Sequence, residues 1–351
     1  MVPSSRTPRA CLSDMPWHIK QRIVGSADPI TRLFIRQVSK ELGHYVDHSP
    51  TAHYLSISFG IQKTQAVLEL CVEAGVQPFR IEYRRANPCY SVQKLFNWRQ
   101  VGGRFNPVER AVKDLATILK NPNVSVTHFH LPATHHINSQ LEKSLKTFPR
   151  ERSKFFAAFQ KEFSKLRHLQ SFEGVFIGFP VHQKELMQFL PLLKPRTLNW
   201  LVFESIADDS MENVMETEQY QQVDGLGVRR GQLSHLMKGR IATITKIYDA
   251  TVSLDELKEL ITVLLQKHDD GNLFDFELRD VNYNKEEFLG HLFDYYGVAG
   301  PAENEDIIKM PDSDNYLSIV YEDPHLCFYQ VNAATAQKIL EGGELFDEEV
   351  V

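Results

Sequence analysis

Apolar positions fall into two regimes along the chain. Between residues 14 and 47, "DMPWHIKQRIVGSADPITRLFIRQVSKELGHYVD", they recur three and four apart, the spacing of amphipathic helices. Ser13 or Asp14 is placed to cap a first helix with Pro16 in its first turn, where the missing N–H is harmless. Ile19 and Ile23 share one face of it, and Gly25 is expected to close it. Asp28-Pro29 repeats the cap-then-proline signal for a second helix, striped by Ile30, Leu33 and Phe34. Val38, Leu42, Tyr45 and Val46 continue the spacing on a third, and Lys20, Arg22, Arg32, Arg36 and Lys40 are expected to share a polar face. A unit of about forty residues buries too little surface to stand alone, so it should lean on the rest of the chain.

From residue 54 the period alternates between two and 3.6. Strands are expected at 54–59, 79–84, 124–131, 171–178, 197–204, 240–250 and 273–279, and helices at 64–75, 111–120, 155–166, 183–193 and 253–268. Residues 207–225 read as a polar surface loop with a helical turn, and the Gly-rich basic run 96–110 as a turn. Helix-then-strand units at intervals of roughly 25 to 45 residues favour a stacked, leucine-rich-repeat-like α/β solenoid with a mostly parallel sheet. A closed, doubly wound enzyme fold is the alternative, but no GxGxxG after a strand, GxxxxGK[ST] or GxSxG is present.

Composition narrows the function classes. With 351 residues, 42% of them hydrophobic and 24% charged, and a net charge of -6, the chain reads as a soluble two-domain protein with no polyanion-binding character. The four cysteines, Cys11, Cys71, Cys89 and Cys327, form no CxxC pair, which suits reduced thiols in cytoplasm or nucleus. Residues 1–10 lack the apolar region of a signal peptide and read as disordered, and no apolar run is long enough to span a membrane.

Few residues suggest chemistry. His128 and His130, two apart on a strand, with His135 and His136 beyond, could ligate zinc and organise a hydrolase, although a half-buried histidine pair is the plainer reading. Asp208-Asp209, Asp269-Asp270 and the tail read as solvated charge. Cys71, on a helix expected to be apolar, reads as a structural thiol. Trp17, Trp98 and Trp200 are core or, on an open strand face, binding anchors. No catalytic, cofactor or metal residue is assigned.

Two resemblances sharpen this. Met15-Pro16, Ile19, Ile23-Val24, Asp28-Pro29, Leu33, Arg36, Val38-Ser39, Leu42 and Val46 resemble the F-box in register and without a gap, with Met15 where Leu is more usual and Gly25-Ser26-Ala27 where a large apolar residue often precedes the Asp-Pro. The resemblance implies a three-helix unit, residues 11–48, docking on an acidic Skp-family adaptor and through it on a cullin-RING scaffold. Leu12, Met15, Pro16, Ile19, Ile23, Ile30, Leu33, Val38 and Leu42 would supply the contact or the motif's own core. After a connecting region, 52–105, the segments "AVKDLATILKNPNVSVTHFHL", "FLPLLKPRTLNWLVF", "EQYQQVDGLGV" and, most specifically, Ser234 to Asp280 look like the FTH domain of nematode F-box proteins, with Tyr220 where Trp is common. That domain is expected over 106–295, with C-terminal strands and an acidic tail over 296–351. Together they imply a non-catalytic substrate receptor of an SCF ubiquitin ligase whose α/β region holds an unknown protein target. A scaffold acting outside ubiquitin transfer is the alternative.

Overall fold

The computed structural model describes residues 15–27, 29–48, 53–61, 65–72, 78–85, 90–94, 97–101, 106–120, 124–131, 149–166, 168–208, 211–230, 233, 236, 242–248, 251–266, 274–296, 305–311, 313–322 and 324–341. The chain divides into two compact units, Met1–Glu173 with Leu192–Lys194, and Gly174–Pro191 with Pro195–Val351. The fold is α/β with a large sheet, as expected.

The first unit opens with three helices, α1 (Trp17–Ser26), α2 (Pro29–Val38) and α3 (Lys40–Asp47). Pro29 begins α2, and the Ser39 hydroxyl accepts the Leu42 N–H at 3.1 Å to cap α3. Pro16 stands at the N-cap of α1 with no side-chain hydrogen bond, and the proposed caps Ser13, Asp14 and Asp28 lie outside the described residues. Gly25 does not end α1, which runs one residue further to Ser26.

Strands β1 (His53–Ile61), β2 (Gln65–Cys71), β3 (Phe79–Arg85), β4 (Tyr90–Lys94) and β5 (Asn97–Val101) follow as an antiparallel series, and β6 (Ser125–Leu131) pairs parallel with β1. The helix expected over 64–75 is therefore strand β2. Its Ala, Leu and Glu favour a helix locally, but Leu68 lies in register between Phe59 and Ile81, so ladders on both edges and burial on the sheet override propensity. The turn expected over 96–110 likewise contains β5. Asn106 and Pro107 start α4 (Pro107–Ile118), the Asn106 side chain accepting the Val108 N–H at 2.9 Å.

Helix α5 (Pro149–Phe163) projects Phe155, Phe156, Phe159 and Phe163 into this unit's core. Phe155 lies 4.8 Å from Phe59 between ring centroids, and Phe129 stacks on Phe172 at 4.7 Å. Tyr83 is buried and its hydroxyl donates to Asp114 on α4 at 3.0 Å. Burial raises the Asp114 carboxyl, against the opposing pull of Arg110 and of the Tyr83 hydroxyl.

In the second unit β7 (Ser171–Val181, from Gly174 on), β8 (Trp200–Ile206), β9 (Gly225–Arg230), β10 (Ile244–Tyr248) and β11 (Asp275–Arg279) run parallel, in that order. Strand β14 (His325–Asn332) joins β11 antiparallel, followed outward by β13 (Asn315–Glu322) and β12 (Glu305–Lys309). Helix α6 (Gln183–Phe189) starts at His182, whose ring and the Gln183 N–H both reach Asp208, so that carboxylate fastens a helix start rather than standing in solvent. The loop expected over 207–225 holds two short helices, α7 (Glu212–Met215) and α8 (Glu218–Gln221), seated by buried Met211, Val214, Met215 and Tyr220. Helix α9 (Leu254–Gln266) buries Leu257, Leu260, Ile261, Leu264 and Leu265 and opens with a reciprocal Ser253–Glu256 capping pair. Helix α10 (Lys285–Tyr296) sets Phe288 against Tyr321, and α11 (Ala333–Leu340) is capped by Asn332.

Burial has period two along β10 and along β8 as far as Phe203, while β9, β11 and β14 also bury Gly225, Gly227, Glu277 and Cys327 on their second face. Leu201 and Phe203, Leu226 and Val228, Thr245 and Ile247, Phe276 and Leu278, and Leu326 and Phe328 are buried on one face. Trp200 and Val202, Ile244, Lys246 and Tyr248, Asp275 and Arg279, and Tyr329 alternate with them and stay half-exposed. Glycine makes room on that second face. A Cβ on Gly225 would stand 2.3 Å from the Trp200 ring, so the indole lies across the backbone of β9. We expect Gly225→Ala to displace the indole, shift Trp fluorescence and cost about 1–3 kcal/mol in denaturant unfolding. Gly227→Ala, which meets Val202 methyls at 3.1 Å, should cost less.

Candidate functional site

The three helices face two ways. Their inner side is a small core of Val24, Ile35 and Leu42, lined by Ala27, Tyr45 and Val46. On α1 the inward stripe is Lys20 and Val24, one residue out of phase with the Ile19 and Ile23 stripe that the spacing suggests. A lysine can point inward because Glu41 on α3 takes its ammonium at 2.8 Å, while the stem packs as hydrocarbon. Ile19 and Ile23 are thereby turned away from the core.

That leaves apolar side chains facing out near the chain's entry into α1. Trp17 is 57% exposed, Ile19 36% and, at the end of α2, Val38 66%. Pro16 is exposed, and Met15 and Ile23 are half-buried. Leu42, grouped with these by sequence as contact or core, is fully buried and belongs to the core. Leu12 lies outside the described residues, as do the side chains of Ile30 and Leu33.

The expected shared basic face is also corrected, because most of its members have internal work. Arg32 donates to the Gly25 and Ala27 carbonyls at 2.8 and 3.0 Å, satisfying acceptors left free at the end of α1. Arg36 grips both carboxylate oxygens of Asp47 at 2.7 and 3.4 Å, tying α2 to α3. Lys120, after α4, reaches the same carboxylate at 3.0 Å and fastens the helices to the rest of their unit, the support that so small a motif needs. Arg22 and Lys40 remain on the exposed surface. Gly43 allows the close approach of α3 to α2, a Cβ there standing 3.2 Å from the Arg36 carbonyl oxygen.

Other sequence candidates are scattered. His128 and His130 share one face of β6 with ring centroids 6.0 Å apart, while His135 and His136 lie outside the described residues. Among the described residues no three His, Cys, Asp or Glu side chains converge as metal ligands. Cys71 is half-buried on strand β2 rather than on a helix, and Cys327 is buried on β14. Asp269-Asp270, Cys11, Cys89, Gly102-Gly103 and residues 342–351 lie outside the described residues, as does the side chain of Trp98. No described helix is long and apolar enough to cross a membrane.

No family model matches the chain, nor does any curated protein or solved structure.

Sequence spacing missed the phase of α1 and the Asp47 junction. Lys20, Val24 and Ala27 form an equally regular stripe, but one with a charge at its head, which spacing alone ranks below two isoleucines.

Asp47 makes this junction sensitive to acid. Burial would raise its carboxyl, but the hydrogen bonds and charges of Arg36 and Lys120 outweigh burial and hold it below the usual carboxylate value. An acid depressed in the folded state stabilises it above the unfolded pKa of about 4, and that contribution is lost as pH falls through the lower folded value. Thermal melts of wild type and Asp47→Asn from pH 7 to 2 should therefore differ most near neutrality and converge below about pH 4. A constant gap would contradict the assignment.

Proposed function

We propose that this chain is a substrate receptor of an SCF-type ubiquitin ligase, acting in cytoplasm or nucleus. In this reading the F-box-like helices bind a Skp-family adaptor, and through it a cullin-RING scaffold, while the FTH-like α/β region holds a protein target. The observation that carries the reading is the out-of-phase α1: its core is satisfied by Lys20 and Val24, so Ile19, with Trp17 and Pro16, is left on the outside for a second polypeptide. Each such side chain contributes about 1.5–3 kcal/mol when another protein covers it fully. Single exposed apolar residues are ordinary, but a proline, a tryptophan and an isoleucine within four positions at a helix start make a compact anchor of the kind that dominates interfaces.

The receptor does no chemistry of its own here. It raises the local concentration of the target beside the ubiquitin-charged enzyme, so an encounter between separate molecules becomes effectively intramolecular.

Ile19→Glu and Trp17→Glu should each abolish co-purification of a Skp-family adaptor without lowering the melting temperature, since neither side chain supports the core. Leu42→Ala should instead lower stability by about 2–5 kcal/mol. Undiminished adaptor binding by Ile19→Glu and Trp17→Glu together would overturn the proposal. Tight adaptor binding without ubiquitin transfer in a reconstituted ligase would favour the scaffold.

A further inference from the structure

The half-exposed face of the second unit's sheet carries one row of residues in register across five strands: Trp200, Gly225, Ile244, Asp275 and Tyr329. Strands lie about 4.8 Å apart, so Trp200 and Asp275 are separated by about 14 Å along the row. The Gly225 position lets the indole lie flat beside Ile244, giving an apolar platform that remains half-exposed. An aromatic ring held flat and partly dry is what interface anchors look like.

Charge on this face is allotted unevenly. Glu204 has Arg229 at 3.7 Å. Glu277 has both Lys246 at 2.7 Å and Arg279 at 2.5 Å, and Arg279 also lies over the Tyr248 ring. Asp275, next to Glu277 on the same face, forms no ion pair among the described residues, and its buried Oδ1 has no hydrogen-bond donor there. Burial, then the Glu277 charge, pushes its carboxyl up to about 6. Lys246 and Arg279 pull the same carboxyl down, but both are paired with Glu277, so Asp275 Oδ1 is left without a donor of its own.

We propose that this row binds a segment of a protein target, seating an aliphatic or aromatic side chain on Trp200 and Ile244 and a lysine or arginine on Asp275. Extended chain advances about 3.3 Å per residue, so the basic residue lies about two to four positions from the apolar one. The inference rests on the reading of this region as a target-binding platform, and not on the adaptor contact.

A positional-scanning peptide library, probed with the labelled full chain, tests it. Wild type should enrich Lys or Arg at one position and large apolar residues about two to four positions away. In a selected peptide, replacing the basic residue by norleucine should weaken binding to wild type about tenfold or more, because a charge-assisted hydrogen bond is lost. The same replacement should have little effect on Asp275→Asn. The peptide comparison on wild type needs no variant to fold. Enrichment of acidic residues, no enrichment, an equal norleucine effect on both proteins, or preference for single-stranded oligonucleotide over peptide would each overturn the proposal. Skp-family adaptor binding, measured on the same samples, separates the two readings: selection of the basic peptide without adaptor binding would remove the ligase assignment and leave this site standing.

Discussion

Successive side chains of a strand point to opposite faces, and the second unit is organised by burying one of those faces more completely than the other. One face of its parallel strands buries leucine, isoleucine, valine, phenylalanine and Thr245, while the other keeps Trp200, Tyr248 and Tyr329 partly in water and holds the paired, buried carboxylates Glu204 and Glu277. Glycine at Gly225 and Gly227 then flattens the second face where Trp200 and Val202 lean across. Burial of one face supplies the stability, and the other is the face proposed to carry recognition.

The three N-terminal helices show the same division on a smaller scale. Three buried side chains are a slight core, so the motif is held by polar junctions as much as by apolar contact: Lys20 with Glu41, Arg32 on the end of α1, and Asp47 between Arg36 and Lys120. These junctions draw basic side chains away from solvent. An adaptor contact built here therefore depends on exposed apolar residues more than on a continuous basic face, with charge from Arg22 and Lys40 serving encounter rate.

Much of the fold was legible because long 3.6-period segments and valine-rich alternations are unambiguous. The phenylalanine-rich helix and the Ser253 cap are cases in point. Strand β2 was misread because "AVLELC" satisfies either period locally, and only its pairing with β1 and β3 decides between them. The short helices α7 and α8 were hidden by their acidic composition, their buried contacts being the spaced Met211, Val214, Met215 and Tyr220. Of the exposed apolar residues on these helices, the sequence identified Pro16, Ile19 and Val38 but could not separate them from buried Leu42, since core and surface apolar positions share the same spacing until the phase of α1 is known.

The account turns on whether another polypeptide covers the outer side of α1. Hydroxyl-radical footprinting of the full chain, alone and with a purified Skp-family adaptor, reads that side chain by side chain. Trp17 and Ile19 should label readily in the free chain and become protected in the complex, with Val24 and Leu42 protected in both. Protection of Trp17 and Ile19 in the free chain, or no change on adding adaptor, would contradict the account.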